Sequence, residues 1–247
     1  MKYLGGKARL AKQIVEVLVQ RAEDAGLGPT VDYLEPFVGG GSVLCAVPKH
    51  WNRTACDVNE ALITMYKALQ QGWVPPTDLS REEYYALKQA QDPLDPLTAF
   101  AGFACSFAAK WFGGYAAGDG RNYAAEGARN LEQQMSTLLR TEFHCLSVFD
   151  IQVTPGSLVY CDPPYAGTTG YDGAGDFDTP AFWNWVRDNS DESVVIVSEY
   201  EAPTDFECIW ERQHKCTVRR FGDASPSTER LFRYPRRSQH GRRSCSL

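Results

Sequence analysis

Val31-Asp32-Tyr33-Leu34-Glu35-Pro36-Phe37-Val38-Gly39-Gly40-Gly41-Ser42 is the stretch that decides the fold. Val31–Phe37 reads as a strand that runs straight into a glycine turn. A strand ending on such small residues lets a ligand approach the backbone at the carboxyl edge of a sheet. Upstream, Ala11–Ala22 reads as a helix with Ile14, Val15, Leu18 and Val19 on one face. Downstream, Arg53–Asp57 reads as a second short strand, and residues 61–71 as the helix that follows it. Strands alternating with helices predict an α/β fold built on a mostly parallel sheet. Leu44 stands where a dinucleotide fingerprint has its third glycine, and no Gly-Lys-Ser/Thr follows, so neither a dinucleotide site nor a phosphate loop is supported.

Asp57 sharpens the turn's meaning. It ends the second strand about eighteen residues past Gly39, where a carboxylate can accept hydrogen bonds from both hydroxyls of a ribose. The same position suits an acid at the N-terminus of the next helix, and the two roles can coexist. A glycine turn with a ribose-type acid and no phosphate grip suits a nucleoside cofactor, of which S-adenosylmethionine is the common one. The most specific stretch is Asp162-Pro163-Pro164-Tyr165, which follows the apolar strand Leu158–Cys161. Two prolines hold the preceding residues extended, so the Asp162 carboxylate and the Pro163 carbonyl become preplaced acceptors. Two acceptors gripping the hydrogens of an aromatic amine would concentrate its lone pair toward an electrophilic methyl. Tyr165 offers a ring face on which a flipped base can stack.

The chain has 247 residues, 43% of them hydrophobic, enough for one sizeable core. Its net charge of −6 hides a polarity: residues 211–247 carry ten Lys/Arg against Glu211, Asp223 and Glu229. This basic region can meet a phosphate backbone or be a solvated tail, and both readings stand. Eight scattered cysteines without a Cys-x-x-Cys pair suit reduced thiols in a cytoplasmic compartment, and four dispersed histidines offer no metal site. No 18-residue apolar run is present, and a monomer is expected by default.

The middle of the chain reads as helical. Ser80-Arg81-Glu82-Glu83 has capping-box form, Asp92–Pro96 is a break, Thr98–Phe112 reads as one helix, and another covers about 129–140. Residues 73–140 are therefore expected to be a helical lobe inserted into a catalytic domain formed by 1–72 and 141–247. Ser193–Ser198, Phe206–Arg212, Thr217–Phe221 and Leu231–Tyr234 read as later strands, including an antiparallel edge.

These motifs together resemble the Dam-like (D12 class) adenine-N6 DNA methyltransferases, including phage-type members. Tyr3-Leu4-Gly5-Gly6-Lys7 resembles the family's N-terminal aromatic-x-Gly-Gly-Lys motif, Glu35–Ser42 its cofactor loop, Asp57-Val58-Asn59 its Asp-x-Asn motif, and Asp162–Tyr165 its catalytic tetrapeptide. The resemblance implies a class I, Rossmann-like methyltransferase sheet that uses S-adenosylmethionine and acts on double-stranded DNA without a metal. It implies cofactor contacts by Tyr3, Lys7, Phe37, Gly39, Asp57 and Asp162, with Asp162, Pro163, Pro164 and Tyr165 holding a flipped adenine. The inserted lobe would be the target-recognition element, in which Trp111, Tyr115, Arg121, Asn122, Tyr123 and Arg129 could read bases or grip phosphate. Gly167–Gly175 suits a loop closing over the base, with Tyr171 or Phe177 moving with it. Ser198-Glu199-Tyr200 resembles a Ser-Asn-His-like element near the base, with Glu199 as the departure. Thr228–Phe232 resembles a late family segment. The same chemistry on cytosine N4, an RNA base or a protein glutamine amide is the neighbouring alternative. A catalytically silent DNA-binding relative is the more distant one.

Overall fold

The computed structural model of the protein describes residues 1, 3–118, 120–164, 177–214 and 227–235. The helix expected before the glycine turn is α1 (Ala11–Asp24), and it buries Ile14, Val15 and Leu18. β1 (Asp32–Glu35), β2 (Asn52–Asp57) and α2 (Glu60–Gln70) follow as expected. Asn59 caps α2 by accepting from the backbone N–H of Leu62 at 2.9 Å. β4 (Leu158–Cys161) and β5 (Val194–Glu199) are the apolar central strands. β6 (Glu207–His214) and β7 (Ser227–Arg233) complete one sheet with β3 (Thr141–Cys145), in the order β3-β2-β1-β4-β5-β7-β6.

Five of these strands are parallel neighbours, whereas β7 is antiparallel to both β5 and β6. The expected parallel α/β sheet of the methyltransferase class is borne out, antiparallel edge included. Its centre is covered on both faces, which explains why β4 and most of β5 are continuous apolar runs. Along β4 the side chains alternate. Leu158 and Tyr160 enter the core shared with α1, α2 and the lobe. Val159 and Cys161 enter the opposite core, against Phe182, Trp183 and Val186 of α6 (Thr179–Ser190).

Between α2 and β3 lies a mainly helical segment: α3 (Arg81–Ala90), α4 (Pro96–Ala99) and α5 (Tyr123–Leu138). The capping box of Ser80 and Glu83 forms as read. Thr98–Phe112 is not one helix. α4 gives way to a π-helical turn over Phe100–Ala104 and a 3-10 turn over Phe107–Ala109. Tertiary packing breaks it: the Trp111 ring folds back onto Gly102, where a Cβ would stand 2.6 Å from that ring. α5 begins earlier than 129 because Asn122 caps it, and Gly127 within it admits Phe100 and Ala104. Thr217–Phe221 and the basic residues beyond 235 lie outside the described residues.

Candidate active site

The strand order turns around between β1 and β4, and the carboxyl ends there form a crevice of the kind in which α/β sheets bind ligands. Register brings the motif residues to that edge. Leu34 is level with Val159, and Glu35 with Ala55, so Glu35, Asp57 and Asp162 end three adjacent strands. β7 runs backwards, with Arg230 level with Glu199, so its residue Glu229 lies at the same edge.

The glycine turn is gripped from both sides. Gly39 donates its N–H to Asp57 Oδ2 at 3.0 Å and accepts from the Tyr66 hydroxyl at 2.7 Å. Gly39 has a φ of 44°, and a Cβ there would stand 2.8 Å from the Tyr3 ring. Tyr3 thus packs on the turn, and its ring also meets Phe103, 4.6 Å away between ring centroids. Asp57 Oδ1 also accepts from the N–H of Asn59 at 3.0 Å. Burial raises the Asp57 carboxyl above its ordinary range, opposed by the backbone N–H groups of Asn59, Gly39 and Val58. Phe37 stands edge-on to Phe182 and Phe177, each 5.8 Å away.

Lys7 is the centre of charge. It is buried, and its ammonium donates to Asp162 Oδ1 at 2.7 Å. Glu229 Oε1 lies 3.8 Å from the same nitrogen and accepts from the Ser198 hydroxyl. Burial alone would lower the Lys7 pKa, but Asp162 and Glu229 carry it above the ordinary lysine value. Burial pushes the Glu35 carboxyl up to about 8, against the bond it accepts from the Tyr33 hydroxyl. Glu199 is pushed up to about 7, by burial first and by Asp162 among the nearby charges. Glu35, Asp57, Glu199 and Glu229 are all buried. Asp162, with a side chain 19% exposed, is only partly buried. Pro163 is buried and Pro164 half-buried; Tyr165, Tyr171 and the Gly167–Gly175 loop lie outside the described residues. Glu35, Ser198 and Glu229 lie in stretches that resemble family elements, but the sequence alone assigns none of the three a role of its own. The available signal was an acid inside or beside an apolar strand.

The expected lobe residues are engaged within the lobe. Trp111 packs against Phe103 and Phe112 at 4.8 and 4.9 Å between centroids. The Tyr115 hydroxyl donates to Leu79 O at 2.7 Å. Arg121 makes a two-pronged pair with Glu126 and lies 4.8 Å over the Tyr123 ring. Asn122 caps α5 and donates to Thr77 O at 3.0 Å. Arg129 is exposed on α5. The outward aromatic, which sequence reading passed over, is Phe107, 71% exposed. It precedes Ala108 and Ala109, whose φ values of 55° and 54° hold the chain in the left-handed region.

Among the described residues no cluster of His, Cys, Asp and Glu could hold a metal ion, and no helix is long and apolar enough to cross a membrane. Residues 3–95 match the family model of the D12 class N6 adenine-specific DNA methyltransferases. That span contains the N-terminal motif, the glycine turn and Asp57, and it ends before Asp162. No curated protein matches the chain. Solved structures resembling it include the rRNA methyltransferase aviRa from Streptomyces viridochromogenes. That likeness has 14% identity and a TM-score of 0.43, covering 92% of this chain and 84% of that one. A putative methylase from Haemophilus influenzae has 12% identity and a TM-score of 0.39, covering 91% and 98%. The putative methyltransferase SMU.472, complexed with SAH, has 14% identity and a TM-score of 0.33, covering 89% and 53%. Residues 3–95, less than half of the chain, are thus similar to the D12 class, and the mostly parallel sheet is of the form expected for an S-adenosylmethionine-dependent methyltransferase.

Proposed function

We propose that this enzyme methylates N6 of an adenine flipped out of double-stranded DNA, by direct displacement and with Asp162 as the residue that meets the amine. The observation that carries this reading is the partly open Asp162 carboxylate, held by Lys7 at the end of β4 beside a D12-type glycine turn. S-adenosylmethionine, when bound, supplies an electrophilic methyl on a cationic sulfur. The site's donor set fits it: Asp162, Glu199 and Glu229 stand near Lys7, Glu35 is close to Asp162, and Asp57 grips the glycine turn at the same sheet edge. An acid-rich wall of this kind favours a cationic ligand and repels a phosphate-bearing one. Asp57 would accept from the ribose with the capacity its backbone partners leave, since a carboxylate has about four lone-pair sites.

Asp162 and the Pro163 carbonyl would accept the two N6 hydrogens and direct the lone pair at the methyl carbon. The new carbon–nitrogen bond forms as the carbon–sulfur bond breaks, and the surplus proton leaves the methylated amine for solvent. Lys7 keeps Asp162 oriented during this change. Tyr3, Phe37 and Gly39 would line the donor's pocket, and Pro164 and Tyr165 would support and stack on the base. The lobe 73–140 would read the DNA, with Trp111, Tyr115, Arg121, Asn122 and Arg129 joined by Phe107 and Lys110. Leu4 donates to Ala109 O at 3.3 Å, so the tip that bears Phe107 is tied to the segment that bears Lys7.

Expression in a host lacking DNA methylation, followed by single-molecule sequencing, tests the reading. N6-methyladenine in a defined context is expected from the wild type and none from Asp162→Ala. N4-methylcytosine, unmodified DNA, or undiminished methylation by the variant would overturn it.

A further inference from the structure

Lys7 does not hold Asp162 alone. Its ammonium lies 2.7 Å from the Asp162 carboxylate and 3.8 Å from the Glu229 carboxylate. Glu229 belongs to a different strand, β7, and is 2% exposed. It is fixed by the Ser198 hydroxyl of β5, which donates to the same Oε1 that faces the lysine. An acid buried this deeply, on an edge already crowded with acids, is unfavourable unless a cation and a donor compensate it. Here both compensations come from the site itself.

We propose that Glu229 is a positioning residue for methyl transfer: it anchors the Lys7 ammonium from a second strand, and so fixes the direction and charge of the group that orients the Asp162 carboxylate. This rests on the role of Asp162 proposed above. The physical reason is a balance. A lysine held by one carboxylate would sit as close to it as possible and neutralise it. A second carboxylate shares the cation, leaves Asp162 more of its acceptor strength, and keeps the buried lysine protonated. Among the described residues, the other groups near Lys7 or Asp162 include Gly5 O, which accepts from the ammonium at 3.4 Å, Tyr160 and Cys161 of β4, Tyr200 and Glu199 at the end of β5, and Glu35 at the end of β1.

The test combines turnover with a direct reading of Lys7. In Glu229→Gln, kcat should fall about tenfold with smaller changes in KM. The alkaline limb of its pH profile should move about one unit lower, because Lys7 loses one of the charges that hold its proton. Ser198→Ala removes the hydrogen bond and keeps the charge, so its alkaline limb should stay at the wild-type pH. Heteronuclear NMR of the Lys7 side chain, in protein without DNA or methyl donor and identified by its loss in Lys7→Arg, should show the same downward shift in Glu229→Gln. A folded Glu229→Gln with the wild-type limb and Lys7 midpoint overturns the proposal, as does an equal shift in Ser198→Ala. If Glu229→Gln fails to fold, Glu229→Asp decides: reduced kcat with a smaller shift supports the role, and wild-type values overturn it. A wild type that leaves adenine unmethylated refutes the proposed substrate instead, and the NMR titration still judges the placement of Lys7.

Discussion

The sheet edge and the inserted segment use the same residue types in opposite ways. At the edge, Glu35, Asp57, Glu199 and Glu229 are buried, and all but Asp57 share the neighbourhood of Lys7 or Asp162. In the lobe, charges settle locally at the surface, as Arg121 does with Glu126. A surface pair of this kind is worth little, typically below about 1 kcal/mol. A buried charge that loses its partner is strongly destabilised or changes its protonation. The difference lies in how charge is held: the edge keeps acids buried near one another and a lysine, whereas the inserted segment settles its charges locally at the surface.

Substitutions in each region can break or sharpen this contrast. The largest effect is expected at Asp57. Asp57→Ala should weaken binding of the methyl donor about 100-fold, roughly 2.7 kcal/mol, and DNA binding far less; equal losses for both ligands in calorimetry would remove its ribose role. In the lobe, Trp111→Ala should act first on stability, lowering it by about 2–3 kcal/mol, near the low end for aromatic truncation because the ring is only partly buried. Urea unfolding measures this, and an unchanged midpoint would place Trp111 outside the core.

A subtler consequence concerns Glu35. Its pKa in the folded protein, about 8, is above the 4.5 of a free glutamic acid. Its contribution to stability is thus fully present below pH 4.5 and is lost as pH rises through 8. The wild type should lose more stability than Glu35→Gln between pH 5.5 and 8.5, and parallel losses in denaturant titrations would refute the assignment. Arg121→Ala should do least, changing stability by less than about 1 kcal/mol.

Much of the sheet was legible because buried parallel strands announce themselves. Leu158–Cys161 is apolar on both faces, and the Gly39 turn ends its strand as plainly as a sequence can. β3 was not legible: Thr-Glu-Phe-His-Cys buries only Thr141 and Phe143 and exposes the rest, so it reads as polar linker. α6 was missed behind the glycine-rich stretch, although Asp178 caps it and Pro180 sits in its first turn. The run from 98 to 112 misled because helix propensity says nothing of a Trp111 ring packing on Gly102. At the candidate site, the motif residues could be read one by one. Their joint placement could not, because Lys7, Asp162 and Glu229 meet only through strand order.

That meeting has a consequence in time. Asp162 lies 155 residues beyond Lys7, and Glu229 comes later still, on the strand inserted between β5 and β6. A ribosome adding about 5–20 residues per second delivers Lys7 roughly 8–30 s before the carboxylate it will hold. β7 must then enter the sheet backwards before the second carboxylate arrives. A nascent chain can therefore shape its glycine turn early, yet brings Lys7, Asp162 and Glu229 together only after residue 229 has been made.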